Sequence, residues 1–187
     1  MLKPCLPPDQ VPVLALVAGL AVANMLIEDY GVAAQVKWPN DIWISGQKVG
    51  GILAEMHAEN NCVRHVVVGL GLNGNATAAD FSLEVATVAT SLHLATGKTF
   101  SIDEMAVNWS HHLALGYRKF VSGGFGGMRA EYDRVMALKG ERVRIDGAGP
   151  DVSGVVRGVD AQGRLLLDQD EKTVLAIEAG EVVRVCF

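Results

Sequence analysis

The chain has 187 residues, 50% of them hydrophobic and 20% charged, with a formal net charge of -5. That balance supplies a core and excludes a disordered chain. Negative charge without a basic stripe interleaved with aromatics excludes a nucleic-acid binder. Three widely spaced cysteines (Cys5, Cys62, Cys186) with no Cys-x-x-Cys, and histidines without metal-ligand spacing (His57, His65 and His93 apart, His111 and His112 adjoining), indicate reduced thiols in a cytoplasmic protein.

Residues 1–12 form a proline-rich lead-in. Pro8 or Asp9 can open a helix, with Pro12 in the first turn, where a missing N–H costs nothing. Residues 13–30 are apolar nearly all round, which predicts a helix buried between layers and stopped at Gly31. Lys3 followed by the apolar run 11–26 imitates a signal peptide, but Pro4, Pro7, Pro8, Asp9 and Pro12 intervene, and no apolar run reaches the roughly 18 residues of a membrane span. No membrane association is expected.

Four strands follow, at residues 33–38, 41–45, 48–57 and 63–70. Turns lie at Pro39-Asn40-Asp41, Ser45-Gly46-Gln47 and Glu59-Asn60-Asn61, so the reading is an antiparallel meander. A polar loop at 77–82 leads to a predicted helix over 83–96, ended by Gly97. Ser101 and Glu104 read as a capping box for the next helix, whose apolar positions 102, 105, 106, 109, 113 and 117 repeat near 3.6. Gly123 and Gly124 break it, and residues 128–138 form one more helix. Beyond Lys139-Gly140, five short strands at 142–145, 152–159, 164–167, 174–177 and 182–186 predict a small barrel. The domain boundary is therefore placed between residues 1–138 and 139–187.

The polar residues that stand out lie between 36 and 73. Lys37 and Lys48 can neutralise phosphate or carboxylate. Asn40 offers a donor and an acceptor, and Asp41 can hold Mg²⁺ or take a proton. Such a set suits phosphoryl or adenylyl transfer, where charge neutralisation and positioning dominate; an ordinary polar hairpin has the same spacing. Gly50 and Gly51 permit either close approach of a ligand or a bulge, or a strand crossing with no room for Cβ. Gly69, Gly71 and Gly74 match the dinucleotide pattern G-x-G-x-x-G, yet Asn75-Ala76-Thr77 follows where a helix should open, and no βαβ unit is present. Nicotinamide binding is discounted.

The run Lys37-Trp38-Pro39-Asn40-Asp41, then Gly46-x-Lys48-x-Gly50-Gly51-Ile52-Leu53-x-Glu55, then a valine-rich strand into Gly69-x-Gly71-x-Asn73, resembles the biotin protein ligase family in order and spacing. The resemblance covers nearly the whole chain, most weakly the final barrel. It implies an α+β fold with a mixed, largely antiparallel sheet packed against helices, of the class II synthetase or biotin ligase type, followed by an SH3-like barrel. It implies formation of biotinyl-5′-AMP from biotin and ATP with Mg²⁺, then transfer of biotin to a lysine of a carboxylase carrier domain. Lys48 would reach the biotin carboxyl and the α-phosphate. Asn40 and Asp41 would orient the triphosphate, the Mg²⁺ or the attacking lysine, with Asp41 the metal ligand. Lys37, Gly50 and Gly51 would line the ligand site and Asn73 would recognise adenine. Family members carry an upstream loop of the form G-R-G-R-x-G-R over biotin and the phosphates, and no such motif occurs in this sequence. The expectation is a ligase unit inactive alone, needing an N-terminal half, with pairing of two copies through a sheet edge as a further partner. The alternative is a non-catalytic binding module or paralogue derived from the same fold.

Overall fold

A computed structural model describes residues 1–4, 6–60, 62–147, 152–170 and 172–184. Cys5 and Cys186, Asn61 of the predicted turn, Glu171 and the end of the last predicted strand lie outside the described residues.

A 3₁₀ turn at Pro8–Gln10 leads into α1 (Val13–Glu28), with Pro12 at its N-cap. Leu14, Val17, Leu20, Val22 and Leu26 are at most 1% exposed, as an all-apolar helix requires. By length and hydropathy alone, the helical stretch Pro8–Glu28 would pass for a membrane span, so the expectation that no run is long and apolar enough needs correction. In this fold its apolar surface is core. Gly31, at φ +66°, turns the chain out of the helix, and the Val32 N–H donates to the Leu26 carbonyl.

Strands β1 (Ala34–Lys37), β2 (Asp41–Ile44), β3 (Gln47–Glu59) and β4 (Cys62–Leu72) form an antiparallel sheet in sequence order. Val36, Ile42, Val49, Ile52 and Val66 are buried on the face covered by α1. Gly19 brings the helix close: a Cβ there would lie 3.3 Å from Val36 Cγ1. The β2–β3 turn uses Ser45 (φ +50°) and Gly46 (φ +82°), the positive-φ pair that matches strand twist in a tight hairpin.

The predicted helix over 83–96 is corrected. A 3₁₀ turn at Val85–Thr87 precedes a short parallel bridge between Ala89 and Lys48, and only α2 (Leu92–Thr96) is helical. The Lys48 N–H donates to Val88 O, and the Thr90 N–H donates to Lys48 O, each at 2.8 Å. These sheet bonds outweigh helix formation across Val88–Thr90, and Ser91 then caps α2 through Leu94 N.

Helix α3 (Ile102–Gly123) starts at Ser101, whose hydroxyl accepts from Glu104 N, and its Met105 and Phe120 are buried. A 3₁₀ turn at Phe125–Gly127 joins it to α4 (Arg129–Val135), which is shorter than predicted. Residues 136 and 137 leave the helix to bridge β1, the Ala137 N–H donating to Val36 O.

The last five strands are β5 (Arg142–Asp146), β6 (Ser153–Val159), β7 (Leu165–Asp168), β8 (Val174–Ile177) and β9 (Glu181–Arg184). They pair antiparallel in the order β8-β7-β6-β5-β9, an SH3-like arrangement with its first strand between the second and the last. Val143, Ile145, Val156, Leu165 and Leu167 form its core. The indole N–H of buried Trp38 crosses to this unit and donates to Gly163 O at 3.0 Å.

Candidate active site

The sheet face opposite α1 carries most of the candidate residues, and a bulge puts them there. Ile42 pairs with Gly50 and Trp43 with Lys48, so Val49 is the extra residue of β3. Lys48 and Gly51 are three apart and would face opposite ways in a regular strand. The bulge brings both to the open face while Val49 stays buried.

Asp41 pairs with Lys37 on one side and Gly51 on the other, so it lies on the same face. Its carboxylate forms an ion pair with Lys48 Nζ, the side chains being 19% and 48% exposed. A Cβ built on Gly51 would sit 3.6 Å from both Asp41 Oδ1 and Lys48 Cε, so the pair spans this glycine. Lys37 stands over the Trp43 ring, its ammonium 5.1 Å from the ring centroid. Two cations thus flank one anion on an accessible surface.

Beyond the ion pair, glycines leave the backbone open beside the exposed Leu53 side chain. Gly51 pairs with Gly71, and Leu53 with Gly69. A Cβ at Gly69 or Gly71 would meet only a backbone carbonyl, at 3.8 and 4.0 Å. Gly50 is different. It pairs with Leu72, and a Cβ there would lie 2.5 Å from Gly71 O, so strand packing alone requires that glycine.

The two amides take other places. Asn40 Nδ2 donates to Ile52 O at 2.8 Å while Ile52 N–H donates to Asn40 O, fixing the turn that presents Asp41. Asn73 Nδ2 donates to Thr90 O at 3.0 Å, and Asn73 also bonds Val49 and Leu92 through its backbone. It therefore ties the end of β4 to the strap that holds Lys48. Lys37, Asp41, Lys48 and Gly51 share one surface; the amides of Asn40 and Asn73 brace its margins, and Gly50 faces the helix side. Around Asp41 no cluster of three metal-ligating side chains forms among the described residues.

Sequence reasoning missed Gly69 and Gly71 as members of this face, because they were weighed as a dinucleotide motif and as part of the family run, not as alternate positions of a strand. Their two-residue spacing in a strand was the available signal. The Val88–Thr90 strap left none beyond its β-branched residues.

Residues 1–73 match the model of the biotin/lipoate A/B protein ligase family, and residues 139–185 match that of the biotin protein ligase C terminal domain. The chain belongs to the biotin protein ligase family. The bifunctional ligase/repressor BirA of Bacillus subtilis is 35% identical over 175 residues, which cover 91% of this chain and 53% of BirA. A biotin--[acetyl-CoA-carboxylase] ligase of Mycobacterium tuberculosis is 33% identical over 188 residues, covering 91% of this chain and 61% of that protein. This ligase-family chain thus spans about half to three-fifths of these relatives. Its fold matches the biotin protein ligase from Aquifex aeolicus in complex with biotin and ATP, with a TM-score of 0.82 and 27% identity, covering 97% of this chain and 76% of that one.

Proposed function

We propose that the chain is a biotin protein ligase-type unit. It takes part in ATP-dependent formation of biotinyl-5′-AMP and in transfer of biotin to a lysine of a carboxylase carrier domain, in a cytoplasmic setting. Residues 1–138 would form the catalytic-type unit and 139–187 the barrel. The observation that carries this reading is the Asp41–Lys48 pair set over Gly51, at the edge of a glycine-lined surface with room for a ligand to reach the backbone.

In the first step a biotin carboxylate oxygen attacks the α-phosphorus of ATP, and the bond to pyrophosphate breaks. Both partners are anions, so the step needs positive charge between them, which Lys48 and Lys37 would supply. Gly51, with Gly69 and Gly71, would let the ligand lie on the strands. In the second step the carrier lysine attacks the acyl carbon, and AMP leaves. Asp41, released from Lys48 by bound phosphates, would take the lysine proton or hold Mg²⁺. One carboxylate fits that role, because Mg²⁺ is commonly held by one or two carboxylates together with substrate phosphates. Asn40 and Asn73 would act mainly by positioning Asp41 and Lys48, and Asn73 Oδ1 would face adenine.

The phosphate clamp would be completed by a glycine–arginine segment from outside residues 1–187. Leu2 supports its path. Leu2 N–H donates to Val66 O, and Val66 N–H donates to Leu2 O. Chain leading antiparallel into Leu2 would therefore run along β4 from Leu72 back toward Val68, beside the glycine surface. Two copies joining through the same edge of β4 would compete with that segment.

The test is biotin-dependent pyrophosphate release from ATP, measured on the chain alone and with a supplied segment carrying the loop. Activity is expected only with the segment, and Lys48→Ala should then lower it by about 10²–10³-fold, the usual cost of one preorganised electrostatic contact. An unchanged rate in that variant would remove Lys48 from the mechanism. The second reading, a non-catalytic module, is favoured by the engagement of both site amides with backbone carbonyls. It predicts association with a carrier domain and no pyrophosphate release under any of these conditions.

A further inference from the structure

Two lysines flank β2 on the open face, and each reaches past its direct cross-strand neighbour. The register sets Lys37 of β1 opposite Asp41, and Lys48 of β3 opposite Trp43. Opposite charges that face each other directly ordinarily pair. Here Asp41 pairs with Lys48 instead. Lys37 leans diagonally to Trp43, its ammonium 5.1 Å from the ring centroid, and has no carboxylate within ion-pair distance among the described residues.

The indole offers Lys37 its face and nothing else. Trp43 packs against the core, and its Nε1 is buried with no hydrogen-bond partner among the described residues. A ring face attracts a cation through its quadrupole but carries no net charge. Lys37 is therefore held in place with its positive charge uncompensated, whereas the charge of Lys48 is balanced by Asp41. Without the ring, Asp41 would be the nearest partner for Lys37, and the two lysines would compete for one carboxylate. The two ammonium groups stand over positions 41 and 43 of β2, roughly 7 Å apart at the strand rise. An anion with charge repeated along its length, such as a chain of linked phosphates, meets both; a lone carboxylate meets one. Such a chain engages Lys37 without first breaking an ion pair.

We propose that Trp43 is a positioning residue, which holds Lys37 as the uncompensated cation of this surface. Lys37 then takes the outer phosphates of a polyphosphate chain, and Lys48 keeps the reacting end. The proposal deepens the ligase reading and rests on it for the molecule that carries the phosphates, but its test needs no turnover.

The experiment follows the lysine Hε–Cε resonances of the full chain by heteronuclear NMR, with sodium tripolyphosphate as the probe at low ionic strength. The Lys37 signal is assigned by its loss in Lys37→Met. In the free chain it should be shifted upfield by the indole ring current. That shift should persist in Trp43→Phe and vanish in Trp43→Leu. Tripolyphosphate should bind saturably. Lys37→Met should weaken binding by about tenfold or more, as loss of a charge-assisted contact does. Trp43→Leu should weaken it by about two- to fivefold, the range of an exposed cation–π contact, while Trp43→Phe stays near the wild type. A Trp43 that only packs would lower stability on substitution and leave both the Lys37 resonance and the affinity unchanged, which overturns the proposal. Absence of saturable binding to the wild type overturns it, and so does unchanged binding in Lys37→Met. Amide spectra check folding; if Trp43→Leu does not fold, a wild-type Lys37 signal without an upfield shift still refutes the contact. Tripolyphosphate binding with these variant effects, but without biotin-dependent pyrophosphate release in the presence of the loop segment, would keep the role of Trp43 and sink the ligase reading. Release without the variant effects would sink the role of Trp43 alone.

Discussion

Gly50 and Gly51 adjoin in sequence but face opposite sides of the sheet. A methyl group at Gly50 would press against the Gly71 carbonyl, and backbone on both sides blocks relaxation. Gly50→Ala should cost about 1–3 kcal/mol in urea unfolding, as overpacked sites do. Gly51→Ala meets only ordinary contacts and should change stability by less than about 1 kcal/mol, while intruding on the surface under the Asp41–Lys48 pair. Equal losses in the two variants would contradict the bulge register. The sequence marks both positions as glycine and says nothing about which is structural, because that depends on Val49 being the extra residue. Tyr132 offers another residue-scale test. It is wholly buried, and its hydroxyl has no hydrogen-bond partner among the described residues. Burial raises its pKa, keeping it neutral. Tyr132→Phe removes an unsatisfied polar group at nearly constant volume and should stabilise the chain by about 1 kcal/mol in the same assay.

At the scale of elements, α1 and the four-stranded meander were legible because each has a strong local signal: an all-apolar stretch for the helix, and turn residues between β-branched runs for the strands. Leu20 lies at the centre of that buried helix, and Leu20→Ala should cost about 2–5 kcal/mol through loss of burial and the cavity left behind. The region 83–96 was misread for the opposite reason. Its Leu83, Val85, Val88 and Leu92 suggest a helix, yet Leu83 is 92% exposed and the segment is organised by Lys48, some forty residues earlier. No window of local sequence contains that partner. Thr90→Pro tests the strap directly, because it deletes the N–H that donates to Lys48 O. Hydrogen exchange should become faster at Lys48 N–H and through residues 88–92, with little change in β4. Uniformly faster exchange would mean that the strap is part of the global core instead.

Across the whole molecule, defined contacts link the two sheets. One is the Trp38 indole on Gly163 O, and the turn that presents this carbonyl is built on Asp160. Its carboxylate accepts from the Gln162 and Arg164 N–H groups and from the Arg164 guanidinium. Partial burial pushes the Asp160 pKa up, but these hydrogen bonds outweigh it and hold the group below the ordinary 3.8. A carboxylate depressed in the folded state contributes stability that is fully present above its unfolded value and is lost as pH falls through the folded one. Asp160→Asn should therefore flatten the decline in stability on acidification below about pH 4 and leave a nearly constant deficit above it. A steeper acid decline in the variant would reverse the sign and refute the assignment. The family motif from Lys37 to Asp41 includes Trp38, but the motif alone gives no hint that this indole joins the sheet to the barrel.

The short ladder between Leu2 and Val66 also governs how this protein can be handled. Polypeptide attached ahead of Met1 would enter the molecule already aligned with the outer edge of β4, beside the glycine-lined face. An affinity tag or fusion partner placed there would therefore be held next to the Asp41–Lys48 surface at a high local concentration and could act as a tethered competitor for the β4 edge. A reporter inserted at the exposed loop around Leu83 would avoid that edge, though it would load the strap that carries Lys48.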